Sequence, residues 1–264
     1  MRIIAGRLRR RKLLTNPGMT TRPITSRVKE SLFEHLNPYL VDARVCDIFA
    51  GTGTMGLESL SRGAFSSVFI EKDFRAFDLL NQNCDKLAVR EQVFCWQTDA
   101  VMTSFKPKYC EDLMPYEVVF FDPPYKMVKG IQPGTKFFKA MQRLAKDTIT
   151  APDVVVLFRV PKKAEFTLPA CWRTARLLKY STMDIYWLEK NDAADEGAAA
   201  FESQIFDGTD LDADEDFDDD ELGEDVEDEA DGELDDESGL AEDDSTTEID
   251  VGPDAHDADD SESK

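Results

Sequence analysis

The residues best suited to chemistry are Asp122-Pro123-Pro124-Tyr125, at the end of the apolar run Tyr116 to Phe121. Two prolines lack N–H donors and would end any ladder, but a terminator needs neither the Asp122 carboxylate nor the Tyr125 ring. Open α/β sheets bind ligands at the carboxyl ends of buried parallel strands, so Asp122 to Tyr125 is the first candidate site. The second is DIFAGTGTMGLESLSRGA. Here Gly51, Gly53 and Gly56 have G-x-G-x-x-G spacing between a strand pattern and a helix pattern, and Glu71 closes the next strand twenty residues after Gly51. An acid at that place takes the two hydroxyls of a ribose. The combination selects a nucleoside cofactor, with Ala50, Thr52, Lys72 and Ala100 flanking the contact residues.

Asp47, just before the glycine turn, narrows the choice. A carboxylate there would repel a pyrophosphate, but it is a natural partner for the ammonium group of S-adenosylmethionine. Asp99, closing the third strand, is then placed either to accept from the adenine amino group or to cap the following helix. An NAD-dependent oxidoreductase is opposed by Asp47 and by the lack of an obvious acid at a hydride site.

Positioning these residues requires a parallel sheet, and the pattern supplies one. Strands are expected at 45–50, 68–71, 93–98, 118–121 and 154–160, with helices at 54–62, 74–88 and 135–146 between them; the crossover 100–115 is less regular. Phe77, Leu80, Cys84 and Leu87 share one helix face. Segments 173–180 and 183–188, joined at Ser181-Thr182, read as a closing hairpin. The expectation is a doubly wound, mostly parallel seven-stranded sheet with an antiparallel edge hairpin.

Charge divides the chain into blocks. Residues 191–264 hold 34 acids and one Lys, a charge of −33, whereas residues 1–190 hold 30 Lys and Arg against 20 acids, a charge of +10. The acidic segment has too few apolar residues to offset its ordering entropy and is expected to be disordered. Residues 1–25 read as a basic arm. Its Arg2, Arg7, Arg9, Arg10, Arg11, Lys12 and Arg22, with Arg27 just beyond, form the expected polyanion-binding set. Val28, Leu32 and Leu36 share a face of the next helix, which puts Arg27 and Lys29 on the opposite, projecting side. Five cysteines without a C-x-x-C pair, and no long apolar run, point to the reducing cytoplasm with no membrane association; Cys46 and Cys95 read as core residues. Two histidines suggest no metal site.

Taken together, AGTGTMGLESLSRGA, Glu71, Asp99 and DPPY resemble the class I methyltransferases that modify exocyclic amino groups of bases. MRIIAGRLRRRKL and TTRPITSRVKESLFEHL narrow the resemblance to the RsmD family, the guanine-N2 methyltransferases of small-subunit (16S) ribosomal RNA, over residues 1–190. Ile24 and Ser26 replace the usual Thr and Asp, and Arg9 to Lys12 is denser in charge than usual. The resemblance implies a Rossmann-like domain over 26–190 using S-adenosyl-L-methionine, acting as a monomer on 16S rRNA within a small-subunit assembly particle. It also implies roles for DPPY. Asp122 and the Pro123 carbonyl would accept from the target amine, Pro124 would fix the backbone, and Tyr125 would stack on the flipped base. Alternatives are an adenine-N6 methyltransferase acting on DNA or RNA, which would use the same DPPY, and a non-enzymatic RNA-binding assembly factor, which would not need it.

Overall fold

The computed structural model describes residues 1–15, 24–191 and the backbone of 205–206. Arg22 and, apart from that pair, the acidic segment from 192 onward lie outside the described residues, so the expected disorder there and the expected contact by Arg22 are not addressed.

The strands are β1 (Arg44–Ile48), β2 (Ser66–Glu71), β3 (Val93–Gln97), β4 (Tyr116–Phe121), β5 (Thr150–Pro161), β6 (Trp172–Lys179), β7 (Met183–Lys190) and β8 (Ile205–Phe206). The helices are α1 (Ser26–Leu36), α2 (Thr54–Ser61), α3 (Phe74–Leu87), α4 (Tyr125–Val128) and α5 (Lys136–Leu144). They form one sheet in the order β3-β2-β1-β4-β5-β7-β6-β8. β1 to β5 are mutually parallel, and β7 runs antiparallel to both β5 and β6. The order reverses between β1 and β4, which is the topological switch point where open α/β sheets take ligands.

Strand alternation builds the two layers. Val45, Val118, Phe120 and Leu157 join α1, α2 and α3 in one apolar cluster, while Cys46, Val119, Phe121 and Phe158 join α5 in the other. Asp47 follows Cys46, Asp122 follows Phe121 and Arg159 follows Phe158, so all three stand on the α1–α3 side of the sheet. Strand β1 stops at Ile48, two residues earlier than its apolar pattern suggests, because Phe49 turns into the left-handed region with φ 64°.

Two expectations need correction. The basic run at the N-terminus is not a free arm: residues 1–13 fold into a hairpin, with Arg2 bridging Lys12, and bury Ile3 and Leu13. Lys29 does not project. It is 2% exposed, because its ammonium pairs with the fully buried Glu58 at 2.9 Å and donates to the Arg2 carbonyl; the apolar stem packs and the charge finds an internal partner. The seven expected strands are present, and a two-residue strand adds to them at the β6 edge. Ile205 and Phe206, an apolar pair within the acidic segment, lie parallel to β6 with Leu177 opposite Ile205, covering an edge that would otherwise present unpaired backbone groups.

Candidate functional site

The glycine turn fixes the floor of the site. Gly53 caps α2 in the left-handed region at φ 84°. Gly56 lets α2 press onto β2, since a Cβ there would lie 2.4 Å from the Phe69 ring. Asp47, 2% exposed beneath the turn, accepts the Gly56 N–H at 2.9 Å. Burial pushes the Asp47 carboxyl up to about 8; the Gly56 hydrogen bond opposes the push, nearby Asp122 and Glu71 add to it, and Arg159 offsets part of it. A cation arriving at this buried acid would have to draw it into its ionised form.

Glu71 locks the turn to the next strand. One of its oxygens accepts from Gly51 N–H at 2.7 Å and the other from the N–H groups of Lys72 and Asp73, each at 2.7 Å. Across from it, Asp99 takes the Lys72 ammonium at 2.8 Å and the Val101 N–H at 3.0 Å. The Lys72 hydrogen bond holds the Asp99 carboxyl below the usual carboxylate range. Both acids border a cleft of about 420 Å³ whose apolar walls include Phe49, Ile70, Phe74, Ala100, Pro124 and Met127. That size suits a nucleoside-containing ligand.

Of the residues expected at the site, Glu71, Lys72, Asp99, Ala100 and Pro124 line this cleft together. Asp47, Ala50, Gly51, Thr52, Gly53 and Gly56 are not among its lining residues: the turn of Ala50 to Gly53 meets the cleft through the Gly51 N–H bond to Glu71, and Gly56 N–H bonds Asp47. Asp122 opens β4's carboxyl end, its N–H reaching the Ile48 carbonyl, and Tyr125 begins α4 immediately after the two prolines. Arg2, Arg7, Arg9, Arg10, Arg11, Lys12 and Arg27 of the expected polyanion set are exposed. The hairpin tip that carries Arg7, Arg9 and Arg10 stands apart, against the far end of α2 where Arg7 N–H bonds Ser61, whereas Met1, beside the bridged Arg2 and Lys12, is near Thr54 at the near end. Eight residues of helix separate those ends, about 12 Å at 1.5 Å per residue.

Several functional candidates escaped the motif reading. Phe74 is 71% exposed on the cleft wall, and an exposed aromatic at a helix start offers a base a stacking face. Its signal was adjacency to the Asp73 N-cap. Asn83 is fully buried and ties the Leu14 backbone of the hairpin to the Thr52 carbonyl of the turn; nothing in the local sequence distinguished it. Arg159 bonds Asp122 through Nε at 2.6 Å and carries its guanidinium 5.9 Å from the Tyr125 ring centre. Its signal was a cation inside Val154 to Val160. Among the described residues no group of three acids, cysteines or histidines could hold a metal ion, and no helix is long and apolar enough to cross a membrane.

A family described as "Conserved hypothetical protein 95" matches residues 1–188. The Ribosomal RNA small subunit methyltransferase D of Haemophilus influenzae is 31% identical over 187 residues, covering 70% of this chain and 90% of that protein. The chain belongs to the RsmD family. The protein of the same name from Escherichia coli is 36% identical over 126 residues, 48% of this chain and 61% of that protein. The solved structure of yhhF from Escherichia coli superposes on this RsmD-family chain with a TM-score of 0.59 at 29% identity, covering 72% of this chain and 97% of the other. That of a hypothetical protein from Thermus thermophilus gives 0.56 at 24% identity, with 72% and 99% covered, and shares the fold. The sheet order and the antiparallel edge are those of a class I methyltransferase.

Proposed function

We propose that this protein transfers a methyl group from S-adenosylmethionine to the exocyclic N2 of a guanine in small-subunit ribosomal RNA. The observation that carries the reading is that Glu71, Asp99 and Pro124 of the DPPY segment line one cleft at the carboxyl ends of adjacent strands, with the glycine turn bonded to Glu71 through Gly51 and to Asp47 through Gly56. The names of the family relatives supply the substrate class.

The donor supplies an electrophilic methyl on a sulfonium, and the residues fit it. Asp47 is a buried acid whose ionised form suits the ammonium group. Glu71 has three of its four lone-pair positions occupied by N–H groups, leaving one directed acceptor for a ribose hydroxyl. Asp99 suits the adenine amino group, and Phe74 and Met127 supply apolar walls.

An exocyclic amine has its lone pair delocalised into the ring and attacks poorly until acceptors hold its N–H groups. Asp122 and the Pro123 carbonyl are such acceptors, and Tyr125 offers the extruded base a stacking surface. Positioning for in-line attack supplies most of the acceleration, and Asp122 orients the amine or takes the proton it sheds. The exposed arginines of the hairpin tip hold phosphates at a distance from the pocket. The reading is tested by incubating the protein with tritiated donor and either small-subunit RNA or particles, or duplex DNA: label in RNA is expected, and label confined to DNA would replace this reading with an adenine-N6 DNA methyltransferase.

A further inference from the structure

Arg159 interrupts the apolar run Val154 to Val160 and is placed by sheet register. Phe120 pairs with Leu157 and Phe121 with Phe158 across the parallel β4–β5 ladder, so one further step brings Asp122 beside Arg159. Their side chains meet at 2.6 Å, Nε to Oδ1, with 10% of the arginine side chain and 25% of the aspartate side chain exposed. Among the described residues Arg159 Nη1 is buried without a hydrogen-bond partner. A guanidinium that costs this much to bury is retained by something other than packing.

We infer that Arg159 is a positioning residue for methyl transfer: it holds the Asp122 carboxylate ionised and aimed at the target amine, with its guanidinium beside the ring of Tyr125. The inference rests on the assignment of Asp122 as the acceptor for that amine.

The geometry gives each part a reason. Arg159 engages one carboxylate oxygen through one N–H, so Asp122 Oδ2 is left for the substrate. The guanidinium carbon, 5.9 Å from the Tyr125 ring centre, is at cation–π range. The corner is otherwise acidic: Asp47 faces it from β1 and Glu71 from β2, with Arg159 the cation among them. Burial raises the Asp122 carboxyl above the ordinary value and the Arg159 charge and hydrogen bond oppose that rise. Without the guanidinium, Asp122 would take up a proton at higher pH, and a protonated carboxyl loses acceptor capacity toward the amine. The acid limb of the rate profile therefore reports Arg159.

The test compares the parent with Arg159→Gln, Arg159→Lys and Asp122→Asn in transfer of tritiated methyl to small-subunit particles, over a pH series carried down until the parent's acid limb is reached. Saturating donor keeps Asp47 paired with its ammonium, so the limb reads Asp122. Arg159→Gln is expected to move the acid limb up by about 1–3 pH units with activity recovering at alkaline pH, and Arg159→Lys to give an intermediate displacement. A limb at the parental position in Arg159→Gln overturns the inference, even if the rate falls uniformly. If Arg159→Gln does not fold, the Arg159→Lys limb decides by the same criterion. Asp122→Asn separates the two levels. If it is as active as the parent, the acceptor assignment itself has failed and the inference falls with it. If it is inactive while the arginine variants keep the parental limb, only the role of Arg159 is refuted.

Discussion

Cofactor binding should be coupled to proton release at Asp47. With its carboxyl at about 8 in the free protein, roughly one molecule in eleven is ionised at pH 7 and about one in a hundred at pH 6. An ammonium placed against Asp47 requires the carboxylate, so binding draws on that minority and expels the proton from the rest. The sign follows. Affinity rises with pH up to about 8 and levels above it, by roughly tenfold between pH 6 and 7 and roughly fivefold between pH 7 and 8, each pH unit below the pKa being worth about 1.4 kcal/mol. S-adenosylhomocysteine carries the same ammonium and cannot react, so it is the ligand to use. Calorimetry at pH 7 in two buffers of different ionisation enthalpy should report release of about 0.9 proton per ligand bound, and Asp47→Asn should abolish both the release and the pH dependence. No proton release in the parent, with flat affinity over this range, would refute the pairing of Asp47 with the ammonium.

Glu58→Ala should destabilise the domain by about 3–5 kcal/mol, because it leaves the Lys29 ammonium buried without its carboxylate and removes acceptors for the Ile4 and Ala5 N–H groups; urea unfolding showing a loss under about 1 kcal/mol would contradict this. Although burial alone would raise the Glu58 carboxyl, the Lys29 charge and the Ile4 and Arg62 bonds hold it below its ordinary value, so its contribution should be complete above about pH 4.5 and fade as the pH drops further. Glu71→Ala should weaken S-adenosylhomocysteine by about 1.5–3 kcal/mol, since it deletes the ribose acceptor and also frees Gly51 of the turn; unchanged calorimetric affinity in a folded variant would remove Glu71 from the site. Arg9→Glu with Arg10→Glu, both exposed on the hairpin, should weaken RNA binding at low salt and flatten its salt dependence by about two counterions, an unchanged salt slope showing that the tip does not touch phosphate.

The site was legible where a local motif carries its own geometry. Gly53 and Gly56 required their backbone conformation and close packing, and the strand pattern before DPPY located Asp122 at a sheet end. What escaped depends on contacts distant in sequence. Arg159 meets Asp122 only through parallel register between strands 37 residues apart, and Asn83 meets Leu14 across 69 residues. Lys29 was misplaced because helical periodicity sees an exposed face, whereas the buried Glu58 on another helix turns that face inward. Similarly, the arginine-rich run hid a hairpin, because Ile3 and Leu13 are too few to outweigh the surrounding charge in any composition window. Phe74 and Met127 had no motif, only a place on the wall.

The most direct measurement is the identity of the methylated nucleoside. Small-subunit particles from cells lacking the protein, incubated with it and tritiated S-adenosylmethionine, then digested to nucleosides and resolved by mass spectrometry, should carry label in a single N2-methylguanosine, and Asp122→Ala should incorporate none while binding S-adenosylhomocysteine within a few-fold of the parent. Label in N6-methyladenosine, or undiminished incorporation by Asp122→Ala, would contradict the assignment.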